Sequence, residues 1–223
     1  MLVSPTHFFK SQCAKRIFGG KAVHAVIPFL IQRRDESEVL VSSVTKPFVL
    51  FLGRSESHKG LSILIQAWKQ IRAPWTLVVA GTGQQRFPLT DGIVSLGEVS
   101  AQERDWLFAQ CEFFCMPSTN ESFGLVYIEA MRAQKAVIAV KTPPIDEIVV
   151  DKTTGLLIDT VESDVLANAL KSLISDSGLR HAMGIAGYER YIACFSEEKS
   201  IGEYVRAFEG AVARGRKNLK GKL

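Results

Sequence analysis

No stretch of the sequence approaches the roughly 18 continuous apolar residues that a membrane-spanning helix needs. The longest candidate, Val23 to Ile31, is broken by His24 and Pro28. A signal-peptide layout is also missing, because no clean apolar stretch follows the early positive charge in the first twenty residues. Both absences lead to the expectation of a cytoplasmic protein. Cysteine is scarce, with four residues at 13, 111, 115 and 194. No second pair and no histidine cluster supplies metal-site spacing. Cys111 and Cys115 flank Phe113 and Phe114, so they read as small buried apolar residues in a reducing compartment.

Excess charge of one sign is scarce too. The net charge is +4, and the last ten residues hold Arg214, Arg216, Lys217, Lys220 and Lys222 with no acid. Setting those five of the 27 basic residues aside leaves 22 against 23 acidic ones, an almost neutral body that argues against a nucleic-acid-binding surface. The basic tail reads either as a frayed, solvated end or as a weak peripheral contact with anionic lipid, at about 1 kcal/mol per basic residue.

What is present is apolar residue in quantity, 47% of 223, enough for the core of one domain with an appendage. From residue 47 onward short apolar runs alternate with helical periodicity. Pro47 to Leu52, Thr76 to Ala80, Ile93 to Leu96, Glu112 to Met116 and Ala136 to Val140 read as buried strands. Between them, Leu61, Leu64, Ile65, Trp68 and Ile71 follow one helical face, and Ser100 with Glu103 forms a capping-box signature for a helix to about Gln110. A further helix is expected from about Gly124 to Gln134. Strand–helix–strand succession with short connections implies right-handed crossovers, hence a doubly wound α/β fold with a parallel sheet. Ligands of such folds bind at the carboxyl ends of the strands. Beyond Gly155 the chain turns helical, with Val165, Leu166, Leu170, Leu173 and Ile174 on one face, a helix over Gly178 to Ala193, and another from Ser196. Gln32 to Glu38 reads as a linker, and residues 1–46 are too few for a complete domain. The expected organisation is 1–46, then a ligand-binding domain over 47–213, then the tail 214–223.

Three segments converge on the expected crevice. G-R-S-E-S-H-K-G, residues 53–60, offers a planar guanidinium at Arg54 and a compact ammonium at Lys59, a pairing suited to a diphosphate; equally, it is a solvated charged loop. A-G-T-G, residues 80–83, lets backbone approach a ligand at Gly81 and Gly83, or simply turns. P-S-T-N-E-S-F-G-L-V-Y-I-E-A, residues 117–130, places Glu121 before a helix and Glu129 inside it. Amides near Phe123, Gly124 and Leu125 would crown that helix with partial positive charge. Glu129, flanked by Leu125, Ile128 and Ala130, either turns into the crevice toward ribose hydroxyls or stands exposed on the helix.

The spacing E-x7-E with S-F-G between resembles the signature of the retaining family 4 glycosyltransferases of the GT-B fold. G-R-x5-K-G, V-V-A-G-T-G, S-L-G-E-V-S and E-I-V-V-D-K-T-T-G-L-L-I match that family in order, over roughly residues 47–210. The resemblance implies the nucleotide-sugar-binding half of such an enzyme. Arg54, Lys59 and Glu121 would be its catalytic residues, the first two stabilising the diphosphate and the third contacting the donor sugar. Gly53, Gly81, Gly83, Ser122, Phe123, Gly124, Leu125 and Glu129 would bind the donor, with Glu129 on the ribose. It further implies retaining transfer without an obligatory metal or other cofactor, in polysaccharide or lipopolysaccharide assembly.

The sequence departs from the family where Pro143-Pro144 replaces Gly-Gly, Gln134 a glycine, Ala136 a proline, and Phe29-Leu30 an Asn-Gly pair. Residues 3–31 resemble the last segment of the family's N-terminal domain. A separate N-terminal-half protein that binds the acceptor is therefore the expected partner of an active enzyme. A non-catalytic nucleotide-sugar-binding or protein-interaction module, and the remnant of a truncated gene, are the competing readings.

Overall fold

The computed structural model describes residues 3–4, 25–26, 44–83 and 87–220. Cys13, the expected linker 32–38 and most of the segment 1–46 lie outside the described residues, as do the side chains of 87–90 and 214–220. The chain divides into two compact units, residues 1–33 with 192–223, and residues 34–191.

In the first unit, β1 (Val3–Ser4) and β2 (Ala25–Val26) pair in parallel. Its long helix spans Glu197–Lys220, so the backbone expected to fray past residue 213 is helical instead. Glu197 and Glu198 occupy its first turn, where acidic charge favours the helix dipole. Ile201, Val205, Phe208 and Val212 are exposed at helical spacing along it.

The second unit is built on a seven-stranded sheet. Its strands are β3 (Phe48–Leu52), β4 (Thr76–Ala80), β5 (Phe87–Thr90), β6 (Ile93–Gly97), β7 (Phe113–Met116), β8 (Ala136–Val140) and β9 (Gly155–Ile158), in the spatial order β5-β6-β4-β3-β7-β8-β9. All residues of β3, β4, β6, β7 and β8 are buried. Both faces are covered, which is why these strands read as continuous apolar runs rather than alternating ones. Phe48, Val49, Leu50, Phe51, Phe113 and Phe114 form the centre of the core.

Six strands run parallel, as expected, but β5 pairs antiparallel with β6. Asp91 and Gly92 take φ of 52° and 74° between them, the left-handed pair that a tight hairpin turn requires. Pro88 fits β5 because a proline without an N–H is tolerated on an edge strand.

Helices α1 (Leu61–Trp68), α2 (Ala101–Gln110), α3 (Leu125–Arg132), α4 (Ile145–Ile148), α5 (Ser163–Ser175) and α6 (Ser177–Cys194) join and flank the strands, ahead of α7 (Glu197–Lys220). The expected capping box is present: Glu103 N–H donates to Ser100 Oγ at 3.2 Å, and Ser100 N–H donates to Glu103 Oε2 at 2.7 Å. On α5, Leu166, Ala167, Leu170 and Leu173 are buried, with Val165 and Ile174 at the edges of that face.

The topology locates the site. From β3 the chain moves outward to β4 and β6 on one side, then returns across the sheet to place β7 on the other side of β3. The carboxyl ends of β3 and β7 thus flank a topological switch point, where open α/β sheets hold their ligands.

Candidate functional site

The segments leaving β3, β4 and β7 are stitched together by backbone. Gly53 N–H donates to Ala80 O at 3.0 Å and Ser55 N–H to Thr82 O at 3.1 Å. On the other side, Thr119 N–H donates to His58 O at 2.8 Å. Two glycines make this closeness feasible. A Cβ on Gly81, whose φ is 133°, would stand 2.1 Å from Gly53 O, and one on Gly60, φ 77°, would stand 2.2 Å from Pro117 O. Neither position accepts a side chain without moving the loops apart.

This stitching brings Lys59, at the end of the short 3-10 turn Ser57–Lys59, against Glu121, 62 residues later. Lys59 Nζ donates to Glu121 Oε1 at 2.8 Å and Oε2 at 2.9 Å, and the two side chains are only 11% and 8% exposed. Both charges have lost most of their water, so each depends on the other. An ammonium has three donors, and the pair leaves the third for another acceptor. Arg54 is placed differently: it is 65% exposed and meets Glu56 at 2.8 Å, while Glu56 also lies 3.1 Å from His58 Nε2. Exposed ion pairs of this type contribute about 0–1 kcal/mol, so Arg54 can exchange Glu56 for a stronger anion.

Helix α3 begins beside this pair. Its N-cap, Gly124, has φ 90°, and no side chain caps the helix, so its first-turn N–H groups offer partial positive charge toward the crevice. Tyr127 fixes the helix start: its hydroxyl donates to Met116 O at 2.9 Å and its ring meets Phe114 edge-on at 5.7 Å. Burial holds the Tyr127 phenol well above its ordinary pKa, with the Glu121 charge adding to the effect, so it remains a donor. Phe123 and Gly124 are buried, whereas Ser122 and Leu125 are exposed at the mouth of the loop.

Glu129 is buried in the middle of α3, not exposed on its surface. Arg104 Nη2 of α2 lies 3.2 Å from Glu129 Oε1. Beside it, Arg132 Nη2 of α3 meets Asp105 Oδ1 of α2 at 3.2 Å. Sequence reasoning placed Gly53, Arg54, Lys59, Gly81, Gly83, Glu121, Ser122, Phe123, Gly124, Leu125 and Glu129 at one crevice. All lie on the loops and helix starts at the carboxyl ends of β3, β4 and β7, or on α3 itself. It missed Arg104 and Glu56. Glu56 was legible as the acid between Arg54 and His58, but Arg104 contacts a residue 25 positions away and gave no local signal.

Cys111 and Cys115 are buried free thiols and Cys194 a partly exposed one. Burial pushes Cys111 up to about 12, with Lys135 opposing the rise and Glu112 adding to it, and raises Cys115 still further. Among the described residues no group of three or more His, Cys, Asp and Glu side chains is arranged to hold a metal ion. No helix among them is long and apolar enough to cross a membrane.

Comparison with known proteins gives a consistent picture. A family model described as glycosyl transferases group 1 matches residues 32–190. An uncharacterized glycosyltransferase of Methanocaldococcus jannaschii is 32% identical over 172 residues, 74% of this chain and 48% of its own length. The alpha-maltose-1-phosphate synthase of Mycolicibacterium smegmatis is 30% identical over 185 residues, 73% of this chain and 48% of its own. The chain therefore spans about half the length of the curated relatives it matches. Among solved structures, the C-terminal domain of a glycosyl transferase group 1 family protein, LpcC, from Francisella tularensis is 27% identical. It superposes with a TM-score of 0.59 over 67% of this chain and 86% of that one. Anabaena HepE, solved in complex with UDP and glucose, has the same fold at a TM-score of 0.78 and 19% identity, covering 94% of this chain and 62% of its own.

Proposed function

This chain belongs to the group 1 glycosyl transferases, and from that membership we propose that residues 47–213 form the donor half of a retaining glycosyltransferase, binding a nucleotide-sugar. The observation that carries the reading is the buried Lys59–Glu121 pair at the switch point, with Arg54 and the uncapped start of α3 beside it. The donor's diphosphate lies between Arg54, the third N–H of Lys59 and the first amides of α3. Glu121 accepts hydroxyls of the sugar, and Glu129 those of the ribose. When the bond between the anomeric carbon and the diphosphate oxygen breaks, its electron pair passes to the nucleoside diphosphate. The fixed positive groups stabilise that growing charge without having to reorganise. No metal enters this scheme.

The acceptor, in polysaccharide or lipopolysaccharide assembly at the inner face of the membrane, is held by a separate N-terminal-half protein. A donor half by itself neither excludes water nor orients an acceptor, so transfer by the donor half alone is very slow. The test is calorimetric titration with UDP, GDP and ADP and their sugar conjugates. Saturable binding of one nucleotide, weakened at least tenfold in Arg54→Ala and in Glu129→Ala, is expected. Absence of binding to every nucleotide by a well-folded sample would defeat the reading and leave an interaction module in its place.

A further inference from the structure

Two arginines of the same unit show how a structural guanidinium is held. Arg190 donates from Nε and Nη2 to the carbonyls of Ile148 and Glu147, each at 2.7 Å. Arg180 donates to the carbonyls of Leu173 and Ile174 and to Glu112, and its guanidinium lies 5.0 Å over the ring of Trp75. Both are held by backbone carbonyls at or near helix ends, and Arg180 also by a carboxylate and a ring face. Arg104 is not. It meets Glu129 at 3.2 Å, and its Nε is buried with no hydrogen-bond partner. A side chain with a buried donor left unmade is not there to complete a scaffold, since that omission destabilises the fold. Nor is it needed as the sole link between α2 and α3, because Asp105 and Arg132 already join them. What Arg104 uniquely does is hold one oxygen of a carboxylate that is only 11% exposed.

We propose that Arg104 is a positioning residue: it orients Glu129 as an acceptor for the ribose hydroxyls, and thereby sets the preference for ribose over deoxyribose. This rests on the donor-site reading above. A charged acceptor roughly doubles the strength of a hydrogen bond from a hydroxyl, and a carboxylate already anchored at one oxygen loses no rotamer freedom when the ribose arrives. Freed from Arg104, the carboxylate keeps its place on α3 but loses the contact that fixes Oε1.

The experiment compares UDP, GDP and ADP with their 2′-deoxy counterparts by calorimetry on the whole chain and on Arg104→Met, Arg104→Lys and Asp105→Asn. In Arg104→Met, affinity for the ribonucleotide falls about tenfold or more, while affinity for the deoxynucleotide, which keeps its 3′-hydroxyl, falls less, so discrimination shrinks. Arg104→Lys restores part of it, and Asp105→Asn, which breaks the neighbouring interhelical pair, leaves it intact. Should Arg104→Met not fold, the lysine variant carries the comparison. Equal weakening toward both sugars, or wild-type discrimination in both Arg104 variants, would overturn the assignment while leaving the donor site standing. Failure of the unaltered chain to bind any nucleotide would remove the donor-site reading itself, and this assignment with it.

Discussion

Replacing Lys59 by Met strands the carboxylate of Glu121 in surroundings that leave it 8% exposed. Removing one member of a buried pair costs about 3–5 kcal/mol, because the remaining charge keeps its desolvation penalty and loses its compensation. Set against the total of about 5–15 kcal/mol typical of a folded domain, that is a large fraction. With a urea m-value of about 2 kcal/mol/M, the unfolding midpoint of Lys59→Met falls by about 1.5–2.5 M. Urea is the right denaturant because guanidinium is a salt and would screen the charges being measured. The double variant Lys59→Met with Glu121→Met removes both charges and fills the space, so stability returns to within about 1 kcal/mol of the unaltered chain. On the proposed function nucleotide-sugar binding does not return, because Lys59 and Glu121 are its phosphate and sugar contacts. A Lys59→Met midpoint indistinguishable from wild type would refute the buried pair, and a double variant less stable than the single one would refute the reasoning about its cost.

Gly81→Ala sets a Cβ 2.1 Å from Gly53 O at a φ of 133°, and is expected to lower stability by about 2 kcal/mol or more; a midpoint equal to wild type would show that the two loops are not in contact. Cys111 and Cys115 stay protonated in the fold because burial raises both thiols, Cys111 to about 12. Their contribution to stability is therefore complete below the ordinary 9.0 and is lost as pH rises toward about 12. Iodoacetamide in mildly alkaline buffer modifies neither in the native chain and both in concentrated urea; native modification of either, read by mass spectrometry, would contradict their burial. Donor binding persists in excess chelator, as a site built on Arg54, Lys59 and α3 amides requires, and loss of binding in chelator that metal restores would overturn the metal-free scheme.

The fold was legible where local signals agree with burial. β4 and β8 stand at the expected residues because short runs of four or five apolar residues between glycine, turn or helix signals suit strands buried on both faces. Ser100 and Glu103 announced α2 because the capping box is a contact between near neighbours. β5 was overlooked since Pro88 speaks against a strand, although Asp91-Gly92 was a hairpin signal in plain view. That the candidate residues gather at one end of the sheet was legible, and their pairing was not. The glycines at 60 and 81 mark the close approaches, yet nothing local says that Lys59 would be held by Glu121, or Glu129 by Arg104. Those partners lie 62 and 25 residues apart: Lys59 and Glu121 meet because the sheet order sets β3 beside β7, and Arg104 and Glu129 because α2 and α3 immediately precede and follow β7.

The most direct test of the donor site is an amide nitrogen–proton correlation spectrum of the labelled chain, recorded through a titration with UDP, GDP and ADP. The account predicts saturable shifts for one nucleotide, concentrated at Arg54 to Lys59, Gly81 to Gly83 and Glu121 to Glu129. Shifts confined to other surfaces, or none with any nucleotide, would contradict it.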